Sequence, residues 1–399
     1  MREVLCDWTY TAEYSGMSLY TLGFGRSLPP GVKQGRRVSY NRPYLPDNFL
    51  IEKSAGQFFS WEYRLERNGY DVSYISDIDT HSANNINGRF SAGKHKLFLS
   101  VGHDEYYSWQ MRENLEQARN RGINPMNLGF LSANTSFWQI RLEKSSATNT
   151  APADTDYRTI TAYKEYARDG IATAADPYFT NSNSADNYLI TNEWRKNLDN
   201  TGTCPGGGSG CYKKPEDELL GVQYSFPFNQ QVNYPNDSGG VCPVGSFCSA
   251  TGNLKIPVAN CPSWLCDGVT AQSGFYNLGS LIGYEADRVF PLNAADYASS
   301  RSIFKTIGDS DVFNDIGESE VTDTGYNSHM VYFKMQSGGG KVFSTGTIQY
   351  SWGLDDYAPI NYATGVRLHP VLTNANAQNF TANMLNGCLL NNSSGACQF

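Results

Sequence analysis

A short stretch of the chain, Ser100–Ser108, concentrates side chains that can do chemistry. It contains His103 and Glu105, and it follows Lys96–Val101, an apolar run that is typical of a buried strand. In open α/β sheets, binding sites form beyond the carboxyl ends of strands. An imidazole and a carboxylate at this place are therefore candidates for catalysis or for metal binding.

The same stretch has a second interpretation. A helix is predicted near Trp109–Arg121. Asp104, Glu105 and Ser108 would then cap that helix and complement its dipole. The residues alone leave both interpretations open.

Tyrosines form a second group of interest. Tyr10, Tyr14 and Tyr20 lie near the start of the chain, and Val38–Tyr44 contains two more. Phenolate and carboxylate oxygens are hard ligands that suit trivalent iron. The chain has 26 tyrosines, however, and most of them must pack in the interior or lie on the surface.

Alternating strand and helix patterns surround these residues. Arg37–Tyr40 and Tyr70–Ile75 are predicted strands, with a helix over Gln57–Asn68 between them. Leu128–Ser132 is a further strand after the Trp109–Arg121 helix. This order predicts an α/β fold with a largely parallel sheet.

The C-terminal part returns to regular patterns. Strands are predicted at Gly279–Tyr284, His329–Met335 and Lys341–Thr345, and the turn Ser337–Gly340 makes the last two a β-hairpin. A closing helix is predicted over Thr373–Leu385.

Three regions follow from these patterns. Residues 1–144 form the first part of an α/β core, and residues 276–399 form its second part, with the β-hairpin and the C-terminal helix. Between them, residues 145–275 are rich in Gly, Pro, Asn and Ser and contain six of the nine cysteines. This region is predicted to be a loop-rich insertion stapled by disulfides.

Eight cysteines form four close pairs, and Cys6 is left over. The pairs are Cys204 with Cys211, Cys242 with Cys248, Cys261 with Cys266, and Cys388 with Cys397. Zinc is the competing interpretation, but no Cys-x-x-Cys motif occurs and no histidine lies near a pair. Small disulfide loops indicate a secreted, extracellular protein. Glycan acceptor motifs agree; they occur at Asn134, Asn236, Asn379, Asn391 and Asn392.

Composition excludes two classes of partner. With 31 Lys and Arg against 39 Asp and Glu, the net charge is −8, and no basic block is long enough to follow a phosphate backbone. Nucleic acid is therefore not an expected partner. No apolar stretch reaches the roughly 18–20 residues of a membrane span. A homo-oligomer or an extracellular assembly remains open.

A set of motifs, in this order, resembles the N,N-dimethylformamidase large (beta) subunit-like family in its C-terminal catalytic region. The motifs are Val38–Tyr44, Gly69–Val72, Asp77–Asp79, Ser100–Tyr106, Phe130–Trp138, Leu220–Val222, Gly283–Asp287 and Gly346–Trp352. The resemblance spans roughly Trp8–Leu385, and the cysteine-rich region is unmatched.

The resemblance implies a Rossmann-like core similar to class I glutamine amidotransferases, without their cysteine nucleophile. It also implies a mononuclear iron held by two tyrosines and one glutamate. Glu105 matches the glutamate and Tyr44 one tyrosine. Segment Trp8–Tyr20 resembles the region that supplies the other, with Tyr14, or alternatively Tyr10, as the ligand.

Two further roles follow from the resemblance. His103 matches a histidine beside the metal, and Glu285 is a second acidic residue that faces the site. The expected protein is a secreted iron-dependent hydrolase of a carbon–nitrogen bond in a small amide. The alternative is an extracellular binding or structural protein that keeps the fold without catalysis.

Overall fold

The structure is a computed structural model. It describes residues 36–40, 65–82, 88–144, 157–164, 176–180, 184–196, 214–225, 234–235, 241–242, 253–283, 285–289, 300–311, 327–356 and 372–391. The strands are β1 Arg37–Ser39, β2 Leu97–His103, β3 Tyr106–Ser108, β4 Asn127–Ala133, β5 Trp138–Glu143, β6 Thr159–Thr161, β7 Gln223–Ser225, β8 Tyr234–Pro235, β9 Val241–Cys242, β10 Lys255–Pro257, β11 Ala271–Gln272, β12 Phe275–Asn277, β13 Ala286–Arg288, β14 Arg301–Asp311, β15 Asn327–Met335 and β16 Lys341–Ser344.

Helices are fewer and mostly short. The α-helices are α1 Asp77–His81, α2 Trp109–Asn120, α3 Pro177–Thr180, α4 Glu216–Leu220 and α5 Ala375–Met384. Single 3-10 turns occur at Ser184–Leu189, Trp194–Lys196, Val258–Asn260 and Tyr350–Gly353, and a π-turn, Leu385–Leu389, follows α5. None of the helices in the described ranges is long and apolar enough to cross a bilayer.

A five-stranded mixed sheet lies at the centre, in the order β14-β15-β16-β4-β2. Strands β16, β4 and β2 are parallel, whereas β14 and β15 pair antiparallel. Helix α2 lies between β2 and β4 in the chain and makes a β-α-β crossover. The predicted α/β class is confirmed in this mixed form, and the largely parallel sheet is present only in the half that contains β2, β4 and β16.

Alternation of side chains gives this sheet two apolar faces. Phe98, Leu128 and Phe130 face a cluster that includes residues of α2 and α4. Leu131 and Phe343 face the other cluster, which includes the inner face of α5. The sheet is thus covered on both faces, as parallel strands require.

Helix α2 follows the predicted pattern closely. Ser108 is its N-cap, and its hydroxyl oxygen accepts the Met111 N–H at 3.2 Å. Met111, Leu115 and Ala118 are fully buried, which confirms the predicted inner face. Burial of a side chain such as Leu115 stabilises the fold by about 1.5–3 kcal/mol.

The predicted C-terminal hairpin and closing helix are confirmed in the same way. β15 and β16 form the antiparallel hairpin across the turn Ser337–Gly340, and helix α5 closes the fold. Phe380 and Met384 of that helix are fully buried.

A four-stranded sheet lies next to the central one, in the order β1-β6-β5-β3. Strand β3 begins at Tyr106, three residues after β2 ends, and it pairs parallel with β5. The segment between β2 and β3 therefore passes from one sheet to the other. The predicted strand at Arg37–Tyr40 is confirmed as β1.

Two predicted strands are wrong. Tyr70–Ile75 pairs with no strand among the described residues; Tyr70 and Val72 pack against the core without a ladder. The predicted strand Gly279–Tyr284 is reduced to an isolated β-bridge at Ile282 within the described residues 279–283, although Leu281 and Ile282 are fully buried, and the strand β13 lies further along the chain. Apolar alternation decides which side chains turn inward, whereas a strand also needs a neighbouring backbone.

The disulfide Cys261–Cys266 is confirmed, with 6.2 Å between the Cα atoms. Cys388 is also disulfide-bonded, and the cysteine expected to pair with it, Cys397, lies outside the described residues. Cys6, Cys204, Cys211 and Cys248 lie outside them too. The division into residues 1–144, 145–275 and 276–399 stays a prediction.

Candidate functional site

Polar side chains gather at the carboxyl ends of the three parallel strands. Glu105 follows β2, Asn134 follows β4, and residues 345–349 follow β16. Because parallel strands end at the same edge of a sheet, these segments are neighbours. The segment Glu285–Arg288 lies beside them: the Asp287 N–H donates to the Gly346 carbonyl at 2.9 Å.

Glu105 is buried, with 3% of its surface exposed. Its carboxylate oxygen Oε1 accepts a hydrogen bond from Nδ2 of Asn134 at 3.2 Å. Its backbone carbonyl accepts the Trp138 N–H at 3.0 Å, which ties this segment to the start of β5. The carboxylate is therefore held at the strand ends by both its side chain and its main chain.

Asn134 joins the two predicted acidic residues. Its Nδ2 also donates to Oε1 of Glu285 at 3.2 Å, so one amide nitrogen lies between the carboxylates of Glu105 and Glu285. Asn134 has a φ of 54°, a left-handed conformation that asparagine tolerates better than most residues. The structure thus brings together two residues that are 180 positions apart.

Asp287 holds the backbone of this asparagine. Its Oδ1 accepts the Asn134 N–H at 2.8 Å. Burial raises the pKa of Asp287 to about 7; the Asn134 N–H and Arg195 lower it, while Glu216 raises it further. A buried carboxyl with a strongly raised pKa is typical of functional sites.

The helix-capping interpretation holds for one residue only. Ser108 caps α2. Asp104 instead accepts the Tyr107 hydroxyl at 2.6 Å and the Ser100 hydroxyl, and Glu105 accepts from Asn134. Both acidic residues therefore serve the strand ends rather than the helix.

Several buried polar atoms here have no hydrogen-bond partner among the described residues. They are Oδ1 of Asn134, Oγ of Ser136, and both Oε1 and Nε2 of Gln349. Gln349 immediately precedes the turn Tyr350–Gly353, which contacts both β2 and β4. Buried polar atoms are normally paired, so this group fits a site that receives a polar ligand.

The remaining predicted site residues are placed only in part. His103 is the last residue of β2, where its backbone pairs with Ala133; its side chain is not described. Tyr44, Tyr14 and Tyr10 lie outside the described residues. Within the described ranges, no cluster of three His, Cys, Asp or Glu side chains is suited to a metal.

Sequence reasoning missed Asn134 and Asp287 as site residues. Asn134 was interpreted only as a glycan acceptor, but it is buried, and the nitrogen that would carry a glycan donates to Glu105 and Glu285. A usable signal was present: both residues lie in the motifs that carry the family resemblance, and Asn134 comes two residues after the predicted strand Leu128–Ser132.

Comparison with known proteins agrees with these motifs. No curated protein matches the chain. A family model described as N,N-dimethylformamidase beta subunit-like, C-terminal, matches residues 4–364. The match includes Glu105, Asn134, Glu285 and Asp287, together with nearly all of the central sheet. The chain belongs to the N,N-dimethylformamidase beta subunit-like family.

Proposed function

We propose that this protein is a secreted, iron-dependent hydrolase that cleaves the carbon–nitrogen bond of a small amide. Family membership supports the reaction class. The observation that carries the proposal is the single amide nitrogen of Asn134, which contacts the carboxylates of both Glu105 and Glu285.

Two carboxylates held this closely suit different tasks. Glu105 is buried and fixed by its main chain, as a metal ligand needs to be. Glu285 is partly exposed as a residue, although its Oε2 oxygen is buried. The proposal therefore assigns metal binding to Glu105 and proton transfer to Glu285.

The donors in this cluster fit iron in chemical type. The Glu105 carboxylate is a hard oxygen ligand, and buried polar atoms of Asn134 and Gln349 face no partner among the described residues. Glu105, Tyr44 and Tyr14 would hold the ion. When bound, iron supplies a Lewis acid that polarises the amide carbonyl and lowers the pKa of water.

Side chains of the protein would carry out the proton transfers. Water adds to the carbonyl carbon, the carbon–nitrogen bond breaks, and the nitrogen leaves as a neutral amine after it gains a proton. His103, at the end of β2, is assigned to deliver that proton, and Glu285 to accept one from water. The products are a carboxylic acid and an amine, with no covalent enzyme intermediate.

The proposal extends to the fold. Three parallel strands joined in part by the α2 crossover support a Rossmann-like core of the class I glutamine amidotransferase kind. The Cys261–Cys266 disulfide supports an oxidising compartment and hence secretion.

A test combines metal analysis with turnover. The purified chain is loaded with iron and offered N,N-dimethylformamide, formamide and acetamide, and release of dimethylamine or ammonia is measured. We expect about one iron per chain, a tyrosinate-to-iron absorption band, and release of the amine from at least one amide.

The control replaces a buried carboxylate away from the cluster. Asp176 is fully buried and accepts from Arg141 at 2.6 Å, so Asp176→Asn tests loss of a buried charge in general. This variant should keep its iron and its turnover. A colourless, folded, metal-free protein that cleaves none of the three amides would favour the extracellular binding protein instead.

A further inference from the structure

Asn134 acts on two carboxylates through one nitrogen, so its orientation decides the geometry of the cluster. The Nδ2 group has two hydrogens, and each is directed to a different acid, Glu105 or Glu285. A rotation of the residue would break at least one of these bonds. Something must hold Asn134 in place.

The backbone conformation of Asn134 is not favourable on its own. Its φ of 54° is in the left-handed region, which costs free energy for a residue with a side chain. Ser136, two residues later, has the same φ. The turn after β4 therefore needs bonds from outside to keep this conformation.

Asp287 supplies a hydrogen bond that holds Asn134 in this conformation. Its carboxylate accepts the Asn134 N–H at 2.8 Å, and it is 2% exposed. Its own backbone is fixed on two sides, because β13 pairs with β7 and the Asp287 N–H donates to Gly346. The carboxylate is thus a rigid support for the turn.

Burial of Asp287 comes at a cost to stability. Arg195, the cation that acts on it, already donates to both oxygens of Glu216, at 2.8 and 3.1 Å. One guanidinium therefore faces two carboxylates, and the pKa of Asp287 is raised to about 7. An unfavourable buried charge that orients a neighbour is a common feature of functional sites.

We propose that Asp287 is a positioning residue: it holds Asn134 in the left-handed conformation that links Glu105 to Glu285, and so sets the geometry of the two acids. The kinetic part of this inference rests on the proposed amide hydrolysis. The structural part, that Asp287 fixes the turn after β4, stands independently of it.

The test uses three variants of the full chain. Asp287→Ala removes the acceptor, Asp287→Asn keeps a carbonyl acceptor without the charge, and Asp176→Ala removes a comparable buried carboxylate elsewhere. Asp287→Leu, which keeps the branching of aspartate at Cγ without an acceptor, replaces the alanine variant if that one does not fold. Hydrogen exchange of a peptide covering residues 130–137 reports on the turn, and N,N-dimethylformamide turnover reports on the site.

For Asp287→Ala we expect exchange in this peptide to accelerate at least about tenfold, because the acceptor of the Asn134 N–H is gone. The kcat should fall at least about tenfold, with KM within about threefold and iron retained. Asp287→Asn should restore exchange and kcat to within about threefold of wild type. Asp176→Ala should change neither.

Two results would overturn the inference: unchanged exchange at residues 130–137 in Asp287→Ala, or equal loss of kcat in Asp176→Ala at matched stability. If the wild-type protein cleaves no amide, the proposed function fails, and exchange alone then decides whether Asp287 positions Asn134.

Discussion

Two groups of buried or partly buried carboxylates in the described part of the chain have opposite electrostatic results. The helix network consists of Arg112, Glu113 and Glu116 of α2 with Lys214. The strand-end cluster consists of Glu105, Asn134, Glu285 and Asp287. In the helix network, close cations outweigh burial and lower the pKa of Glu116, whereas in the strand-end cluster burial raises the pKa of Asp287.

In the helix network, Glu116 has two cationic partners. Arg112 donates to it at 3.0 Å and Lys214 at 2.6 Å. Burial alone would raise the pKa of Glu116, but Arg112, Lys214 and Arg119 together lower it below its ordinary value. The acid therefore stays charged, and the network joins α2 to the segment before α4.

In the strand-end cluster, burial is the dominant effect on Asp287. It raises the pKa of Asp287 to about 7, because the Asn134 N–H and Arg195, which Asp287 shares with Glu216, offset it only in part. Burial by itself therefore does not identify a site, since Glu116 and Asp287 are both buried. A buried acid whose charge is incompletely compensated, such as Asp287, is the better indicator.

The largest expected effect comes from removing the proposed metal ligand of the strand-end cluster. Glu105→Ala removes the buried carboxylate and should abolish iron binding, with kcat/KM reduced by about 10³-fold or more. Iron content by mass spectrometry and amide turnover measure the two losses. Retention of both iron and activity would show that the cluster is not the site.

His103→Ala should separate binding from chemistry. The imidazole is assigned to proton delivery and not to the metal, so iron should remain while kcat falls by about 10²–10⁴-fold. The same two measurements apply. Loss of iron in this variant would instead make His103 a ligand.

Breaking the helix network should affect stability alone. Glu116→Ala leaves the buried Arg112 and Lys214 without their shared acid, and it should lower the free energy of unfolding by about 3–5 kcal/mol. Denaturant titration measures the loss, and kcat under folding conditions should match wild type. A fall in kcat without a stability loss would contradict the distinction between the two regions.

Asp287→Asn should change how stability depends on pH. The folded pKa of about 7 lies above the ordinary 3.8, so the folded protein binds more protons than the unfolded chain between these values. Unfolding free energy attributable to Asp287 therefore falls as pH rises from about 4 to 7.

Asparagine cannot titrate, so the stability of this variant relative to wild type should rise across that window by about 2–4 kcal/mol. Denaturant titrations at several pH values measure it. Parallel curves for the two proteins would contradict the raised pKa.

His81 also makes stability depend on pH, but its contribution is smaller and has the opposite sign. Its Nδ1 lies 2.7 Å from the Ser108 hydroxyl, and burial lowers its pKa from 6.5 to about 4. The unfolded chain binds more protons between these values, so stability falls as pH drops from about 6.5 to 4.

His81→Asn should remove about 1–3 kcal/mol of that pH dependence, which denaturant titrations at several pH values measure. An unchanged pH dependence in this variant would show that burial of His81 is not its cause.

The sequence predicted the central elements well where a pattern is local. Strand β2, helix α2 and the β15–β16 hairpin follow from apolar periodicity and turn residues, and Glu105 follows from its place after a strand. The strand prediction for Tyr70–Ile75 is wrong because the alternation of apolar and polar residues gives no information about a pairing partner.

Local patterns give no signal for the roles of Asn134 and Asp287, and only the family motifs contain both residues. They depend on a left-handed backbone at one residue and on contacts across about 150 positions. Neither feature has a local signature. Glu285 could be predicted only through the family resemblance, and the structure supplies the contact that connects it with Glu105.

We propose that Glu105 of the strand-end cluster binds one iron together with two tyrosines. Diffraction data from crystals of the iron-loaded protein, collected at the iron absorption edge, test this most directly. We expect an anomalous peak within ligand distance of the Glu105 carboxylate, with two tyrosine oxygens beside it and Asn134 between the acids. A peak elsewhere in a fully loaded protein, or Glu105 turned away from the ion, would contradict it.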